Sequence, residues 1–444
     1  MRRPISWSEL ADASVGVWGL GVEGQASVRR LRAMGVVPLL VDEAPGASEF
    51  DGLEVSALNA GGLDALTRCD VVIKSPGISR YRPEVTRLER EGVAVCGGLG
   101  LFMQEADGSK LACITGTKGK STTTALAAHL LRGLGQKGRA AGNIGVPPWD
   151  PDQDPAPDYW IIETSSFQVP DLDSAPRVVA VTSLFPDHLD WHGSVERYYA
   201  DKLSLCTKPG VELALADGSD DELRANVTLL GPHLQWVEPA DVERDRLWSA
   251  SLGLPGPHNA RNASIARAVL IGLGVPGADD DDKVAAAAQG FGGLPSRCHA
   301  LGRIGTVAFV DDSLSTNVLP TRAALCAFAD RPVALLVGGH DRGVDYAPLG
   351  EVIGQRSEPT LVLTMPDNGP RIGAAVRDAA GRGVTVTDMP DLDEAVAAAF
   401  AWADALGGGV VLLSPAAPSF GRFADYRERA TAFAAAVASL GPLS

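Results

Sequence analysis

Leu111-Ala112-Cys113-Ile114-Thr115-Gly116-Thr117-Lys118-Gly119-Lys120-Ser121-Thr122 runs from an apolar strand straight into a turn bearing glycine, lysine and hydroxyls. Gly116 and Gly119 let backbone N–H groups curl inward around a polyphosphate. Lys120 can reach the outer phosphates, and the Ser121 hydroxyl suits Mg²⁺. The helix that follows, through Thr124 to Leu131, points its positive end at the same anion. Gly116, Thr117, Lys118, Gly119, Lys120, Ser121 and Thr122 are therefore candidates for holding ATP and its Mg²⁺. A Gly-Ser-Thr turn ahead of a helix needs no ligand, but Gly-Lys-Ser in order at a strand-to-helix junction points to a nucleotide. Ile114 stands where the standard loop has its first glycine.

Upstream, Val15-Gly16-Val17-Trp18 reads as a strand and Gly19-Leu20-Gly21-Val22-Glu23-Gly24 as a turn into a helix ending at Ala33. A second strand, Val36 to Val41, leads to Asp42. A GxGxxG turn with an acid about 20 residues later is the pattern of dinucleotide-binding units. A tight turn alone also favours glycine, so the pattern supports a Rossmann-like fold more than NAD itself. Downstream of the phosphate loop, Tyr159 to Glu163, Val178 to Thr182, Val307 to Val310, Val333 to Val337, Thr360 to Leu363 and Val410 to Leu413 read as strands. Ala-rich helices such as Ala285 to Ala288 and Ala395 to Ala399 alternate with them. The expectation is an α/β protein with parallel sheets in three segments, 1–108, 109–296 and 297–444, broken near Asp107-Gly108 and Gly292-Gly293.

A chain of 444 residues is too long for one core. Hydrophobic residues make up 45% and charged residues 21%, which suits a water-soluble chain. The net charge of −16 argues against nucleic acid, whose phosphates need a basic surface. No apolar run reaches the roughly 18 residues of a membrane span. The N-terminal MRRPISWSELADAS has arginines without an apolar stretch behind them, so no export signal is read. The six cysteines are scattered, with no zinc-ligand spacing, and are expected to be reduced thiols in the cytoplasm. A monomer without membrane or nucleic-acid partners is the expectation.

Further motifs follow in order. They are Asn143-Ile144-Gly145, Glu163-Thr164-Ser165-Ser166-Phe167-Gln168, Pro186-Asp187-His188-Leu189-Asp190-Trp191-His192-Gly193-Ser194, and Lys202 fourteen residues after His188. His258-Asn259-Ala260-Arg261-Asn262, Leu294-Pro295-Ser296-Arg297, Asp312-Ser313 with Thr316-Asn317, and Ser414-Pro415-Ala416 come next. Together with the shortened phosphate loop, this set resembles the Mur ligases, and within them the glutamate-adding member. The resemblance implies that ATP phosphorylates the carboxylate of UDP-N-acetylmuramoyl-L-alanine and that glutamate's amine attacks the acyl phosphate, a step of peptidoglycan synthesis. It implies catalytic roles for Lys120, Glu163, His188 and Lys202, with Ser121, Glu163, His188 and a carbamylated Lys202 on Mg²⁺. Asn259, Asn262, Arg297 and Asp312 would hold ATP. The UDP-substrate would meet Gly19, Leu20, Gly21, Asp42, Ser75, Pro76, Gly77, Asn143, Ser165 and Gln168. Taken singly, His188 could be a loop histidine, Lys202 a surface lysine, and Asn259 and Asn262 helix caps. Only the ordered set selects the catalytic reading.

The sequence departs from the family in the segment expected to receive glutamate. Leu314 and Ser315 stand where lysine and alanine are usual, Gly421 replaces an aspartate, Tyr426 a phenylalanine and Ser296 a histidine. Thr316, Arg342, Ser419 and Tyr426 remain as candidate glutamate contacts. Moving one anchor for a carboxylate is a natural way to change the accepted hand. The pattern resembles the branch that adds L-glutamate, with D-glutamate as the alternative. A folylpolyglutamate-type ligase is disfavoured by the N-terminal βαβ unit, and a non-catalytic subunit by the joint presence of Lys120, Glu163, His188 and Lys202.

Overall fold

The structure is a computed structural model that describes residues 4–43, 45, 48–152, 157–254, 256–379, 381 and 383–444. Met1–Arg3, part of the stretch read above for an export signal, lie outside the described residues.

Each of three sheets has six strands. The first is ordered Glu49–Phe50, Leu53–Ala57, Leu39–Asp42, Val15–Trp18, Val71–Lys74, Ala94–Cys96. The second is ordered Leu234–Val237, Leu213–Asp217, Val178–Val181, Leu111–Thr115, Tyr159–Glu163, Gly138–Gly142. The third is ordered His299–Ile304, Val307–Asp311, Gly409–Leu413, Val333–Val337, Thr360–Thr364, Val384–Asp388. Val15–Trp18 and Leu111–Thr115 are interior strands where the order of connection reverses. In open α/β sheets, ligands bind outside the carboxyl ends of strands at such points. Both glycine loops are there.

The second sheet is parallel throughout. The other two are parallel except at one edge, so the expected α/β fold with parallel sheets is observed with one antiparallel edge strand in each of these two. Glu49–Phe50 pairs antiparallel with Leu53–Ala57, and His299–Ile304 with Val307–Asp311. The first hairpin turns on Asp51-Gly52, both at positive φ (53° and 75°), a geometry whose twist matches the flanking strands. The second strand of the chain is also shorter than expected. Val36 N–H still closes the preceding helix on the Leu31 carbonyl at 2.9 Å, and Pro38 has no N–H to pair, so the strand begins at Leu39.

By packing, the chain forms two compact units, Met1–Ser251 with Arg261–Phe291, and Leu252–Ala260 with Gly292–Ser444. The first two sheets share the first unit. Within it, Trp149 packs near Trp7 with ring centroids 6.3 Å apart and donates to Ser27 Oγ at 3.2 Å. Gly98 is needed there, because a β-carbon would come within 2.5 Å of the Trp149 ring. Asp150 pairs with Arg29. Deeper, Asp171 takes Lys74 at 2.5 Å and Arg80 at 2.6 Å, all three side chains buried. No described helix is long and apolar enough to cross a membrane.

Candidate active site

The phosphate loop is pinned by the residues that follow Val178–Val181. Thr117 N–H donates to the Ser183 carbonyl at 2.8 Å and Lys118 N–H to Ser183 Oγ at 2.9 Å. The Thr182 hydroxyl donates to the Lys118 carbonyl. Gly116 has φ of 136°, and a β-carbon there would lie 2.2 Å from Thr182 Oγ1. Gly119, at φ 89°, precedes the helix Lys120–Gly133, and its open face looks onto Asn262 Oδ1, 2.5 Å from where a β-carbon would sit. Two of the expected phosphate-contacting N–H groups are thus committed to the protein. The helix N-terminus behind Gly119 is the part of the loop suited to an anion.

Glu163 ends its strand buried at 2% exposure. Asn143 Nδ2 donates to its Oε1 at 2.9 Å, while Oε2 has no hydrogen-bond partner among the described residues. A buried carboxylate oxygen without a donor costs free energy unless a cation or donor meets it. The residues therefore fit a divalent cation at this strand end. Lys202 is 1% exposed, donates to the Gly116 carbonyl at 2.9 Å, and lies over the Tyr198 ring. Burial, then the nearby Lys120 and Lys118, drive its ammonium well below the usual lysine range, with Asp187 and Glu163 opposing. His188 sits in left-handed backbone, φ 51°, with its ring against Phe167 at 4.8 Å. Its side chain is half exposed; partial desolvation and the same three lysines hold its pKa down against Asp187, which disfavours the charged imidazolium that cannot bind a metal. Lys120, Asp187 and Glu163 all act on Lys202, and Lys120 and Lys202 on His188, so these groups share one electrostatic neighbourhood.

Among the expected UDP-substrate residues, Gly19, Leu20 and Gly21 form the other glycine loop and Asp42 and Ser75 bond to it, whereas Asn143 bonds to Glu163 instead. Asp42 Oδ2 accepts from Leu20 N–H at 2.7 Å, Ser75 Oγ donates to the Gly19 carbonyl at 2.6 Å, and Gly77 is exposed. Asp42 thus shapes the loop itself. Gln168 Oε1 accepts from Ser165 N–H at 2.7 Å, and its amide donates to Glu23 at 2.5 Å. Sequence reasoning missed Glu23, whose pKa is raised to about 7, first by burial. It also missed Trp191, which stacks on Phe167 at 5.0 Å and donates to the Pro76 carbonyl at 3.1 Å. Trp191 stands where the family motif has arginine, and that departure was the available signal.

In the second unit, Asp312 is held by Ser315 Oγ at 2.5 Å, Ser414 Oγ at 2.6 Å and Cys298 N–H at 3.0 Å. Burial raises its pKa to about 6 against those bonds. Two departures gain a reason: Ser315 donates to Asp312, and Ser296 Oγ donates to the buried Asp311 at 2.9 Å. Ser419 is buried, Thr316 and Tyr426 are partly buried, and Arg342 is exposed. Asn259 is buried near the start of the helix Pro257–Gly272, and Arg297 is partly buried. Arg429, which sequence reasoning passed over, is buried and donates to the Ser313 and Ala417 carbonyls at 2.8 and 3.1 Å, tying two loops together.

Known proteins share this sequence and architecture. Residues 114–270 match the Mur ligase middle domain, and residues 13–97 the Mur ligase MurD-like N-terminal domain. A UDP-N-acetylmuramoyl-L-alanine–L-glutamate ligase from Xanthomonas euvesicatoria pv. vesicatoria is 42% identical over 96% of this chain and 95% of its own. One of the same name from Micromonospora sp. is 38% identical over 97% of each. Among solved structures, the UDP-N-acetylmuramate-alanine ligase MurC of Thermotoga maritima matches with a TM-score of 0.56 at 19% identity, over 97% of this chain and all of that one. A folylpolyglutamate synthase from Mycobacterium tuberculosis matches over 78% of this chain and 95% of its own at 14% identity, TM-score 0.51. A phosphate loop, a buried strand-end glutamate and a charge-suppressed lysine, in a chain so close to these relatives over nearly all its length, place it in the Mur ligase family, with an N-terminal domain of the MurD-like kind.

Proposed function

We propose that the chain is an ATP-dependent ligase that joins the carboxylate of UDP-N-acetylmuramoyl-L-alanine to the amine of glutamate, releasing ADP and phosphate, in peptidoglycan precursor synthesis. The observation that carries this reading is the crowding of Lys120, Lys118, Lys202 and His188 around a loop open to phosphate, beside the unpartnered Glu163 oxygen. Lys120 and Lys118 supply positive charge that draws in a polyanion, while the charged forms of Lys202 and His188 are disfavoured beside them. Segment 1–108 is assigned to the UDP-substrate, 109–296 to ATP and 297–444 to glutamate.

Lys120 and the helix N-terminus behind Gly119 draw charge off the outer phosphates as the substrate carboxylate attacks the γ-phosphorus and ADP leaves. Glu163, His188, Ser121 and Lys202 are the residues suited to hold Mg²⁺, which when bound neutralises charge on the phosphates and the acyl phosphate. An ammonium would repel that ion. The suppressed pKa favours the neutral amine of Lys202, the form that can add to carbon dioxide, forming an N–C bond and releasing a proton, to give an anionic carbamate. A ¹³C carbamate signal on ¹³C-bicarbonate, absent in Lys202→Arg, tests this step. Asn259, Asn262, Arg297 and Asp312 are assigned to ATP. Gly19, Leu20, Gly21, Asp42, Ser75, Pro76, Gly77, Asn143, Ser165 and Gln168 are assigned to the UDP-substrate.

L-glutamate is the favoured acceptor, contacted by Thr316, Arg342, Ser419 and Tyr426. Support comes from the lost lysine at Leu314, the added phenol at Tyr426, and the names of relatives about 40% identical. Turnover assays with each enantiomer separately test it. Product with D-glutamate alone would overturn the choice of hand, and none with either would overturn the ligase reading.

A further inference from the structure

Besides Ser121 on the phosphate-loop helix, the groups assigned to Mg²⁺ in the first unit lie at or beside three segments: the strand end and turn at Glu163, the stretch around His188 and the helix Val195–Leu203 with Lys202. His192 belongs to the His188 stretch, and its imidazole is bonded to the other two. Its Nε2 lies 3.0 Å from Ser166 Oγ, three residues past Glu163. Its Nδ1 lies 2.7 Å from Asp201 Oδ2, the neighbour of Lys202. Its backbone N–H donates to the His188 carbonyl at 3.2 Å. The ring is fully buried and packed by Trp191, Tyr198 and Phe167, with centroids at 4.5, 5.1 and 5.8 Å. Tyr198 carries the frame to the phosphate loop, its hydroxyl 2.9 Å from Thr117 Oγ1. The second Asp201 oxygen accepts from the Tyr81 hydroxyl at 2.5 Å.

We propose that His192 is a positioning residue of the ligase reaction, a strut whose two ring nitrogens set the spacing of the Glu163 turn, the His188 segment and the Lys202 helix. The proposal rests on the reading above. A serine–histidine–aspartate row also activates nucleophilic serines, but Ser166 is 3% exposed, which withholds its hydroxyl from an incoming acyl group. With Asp201 accepting from Nδ1–H, Nε2 accepts from Ser166 O–H, and both nitrogens are satisfied. A doubly satisfied imidazole crosses between segments in a way that no apolar ring of similar volume can, because misplacing a reacting group by about 1 Å can cost roughly a hundredfold in rate.

His192→Phe keeps volume and ring packing but removes both side-chain bonds. The expected result is a kcat lower by about 30-fold, with KM for ATP and the UDP-substrate within about threefold of wild type. Ser166→Ala and Asp201→Asn each lower kcat by about tenfold, and their double variant falls no further than His192→Phe, since both act through one ring. Mn²⁺ affinity, read by electron paramagnetic resonance without substrates, weakens by about tenfold in His192→Phe. A folded His192→Phe with kcat or Mn²⁺ affinity unchanged overturns the proposal. If that variant does not fold, unchanged kcat in both Ser166→Ala and Asp201→Asn overturns it. Weakened Mn²⁺ binding in a protein whose wild type turns over neither glutamate sustains the strut and removes only the ligase reading.

Discussion

The two compact units treat charge in opposite ways. In the first, three lysines and a histidine crowd one loop, and burial strips Lys202 of its proton affinity. In the second, the buried carboxylates Asp311 and Asp312 are met by hydroxyls and backbone N–H groups, while Arg342 stands in solvent. In the first arrangement the lysines depress the charge of Lys202 and His188. The second keeps its acids hydrogen-bonded and leaves Arg342 at the surface. Leu314, which stands where relatives of the resemblance carry lysine, belongs to the second unit.

The strongest way to break this contrast is Lys120→Ala. Losing the cation that meets the outer phosphates is expected to lower kcat by about a thousandfold or more, with the circular dichroism spectrum unchanged. Near-normal turnover would mean that the crowded loop is not the donor site. Next in size is Asp171→Asn, which leaves Lys74 and Arg80 buried without their shared carboxylate. Breaking such a pair costs about 3–5 kcal/mol, read as a lowered urea midpoint. A loss under about 1 kcal/mol would show that water reaches the triad and that the first unit is less dry than its packing implies.

Much of this was legible in the sequence, and the gaps have physical causes. The strands Val15–Trp18, Leu111–Thr115, Tyr159–Glu163 and Val333–Val337 were read at their observed bounds, because fully buried parallel strands are short apolar runs closed by turn residues. Glu163 and Lys202 could be found because their spacing belongs to an ordered motif set. The Asp51-Gly52 hairpin had a signal, an Asp-Gly pair, that went unused. The Lys74–Asp171 bond and the Ser79–Trp191 contact had none, since their partners lie 97 and 112 residues apart. Which side chains meet across two sheets is decided by packing, and a single sequence does not record it.

In the second unit, Arg342→Ala is expected to raise the KM for glutamate by about 10- to 100-fold, the value of one charge-assisted contact, with the KM for ATP unchanged. Equal shifts in both constants would mean that Arg342 does not read the amino acid and that the exposed cation has another task. Leu314→Lys sharpens the same point from the other side. Restoring the lysine is expected to shift the ratio of kcat/KM for the two enantiomers toward D-glutamate by about tenfold, and an unmoved ratio would remove Leu314 from the argument on handedness.

The smallest effect concerns Glu23, an acid of the first unit that, like the second unit's Asp312, has its pKa raised by burial. It lies in the first turn of Val22–Ala33, accepts from the Gln168 amide, and is faced by Lys74, which favours its charge, and Asp171, which opposes it. Burial dominates and raises its pKa from 4.5 to about 7. A carboxyl whose folded pKa is raised favours folding when protonated. Its contribution is complete below the unfolded value and is lost as pH rises through the folded one. Between pH 6 and pH 8 the wild type should therefore lose about 1 kcal/mol relative to Glu23→Gln, measured by urea unfolding at both pH values. Glutamine keeps the shape and cannot ionise, so other titrating groups cancel in the difference. A constant difference across that window would mean that Glu23 is charged beside Gln168, and that the first unit carries its anion as openly as the second carries Arg342.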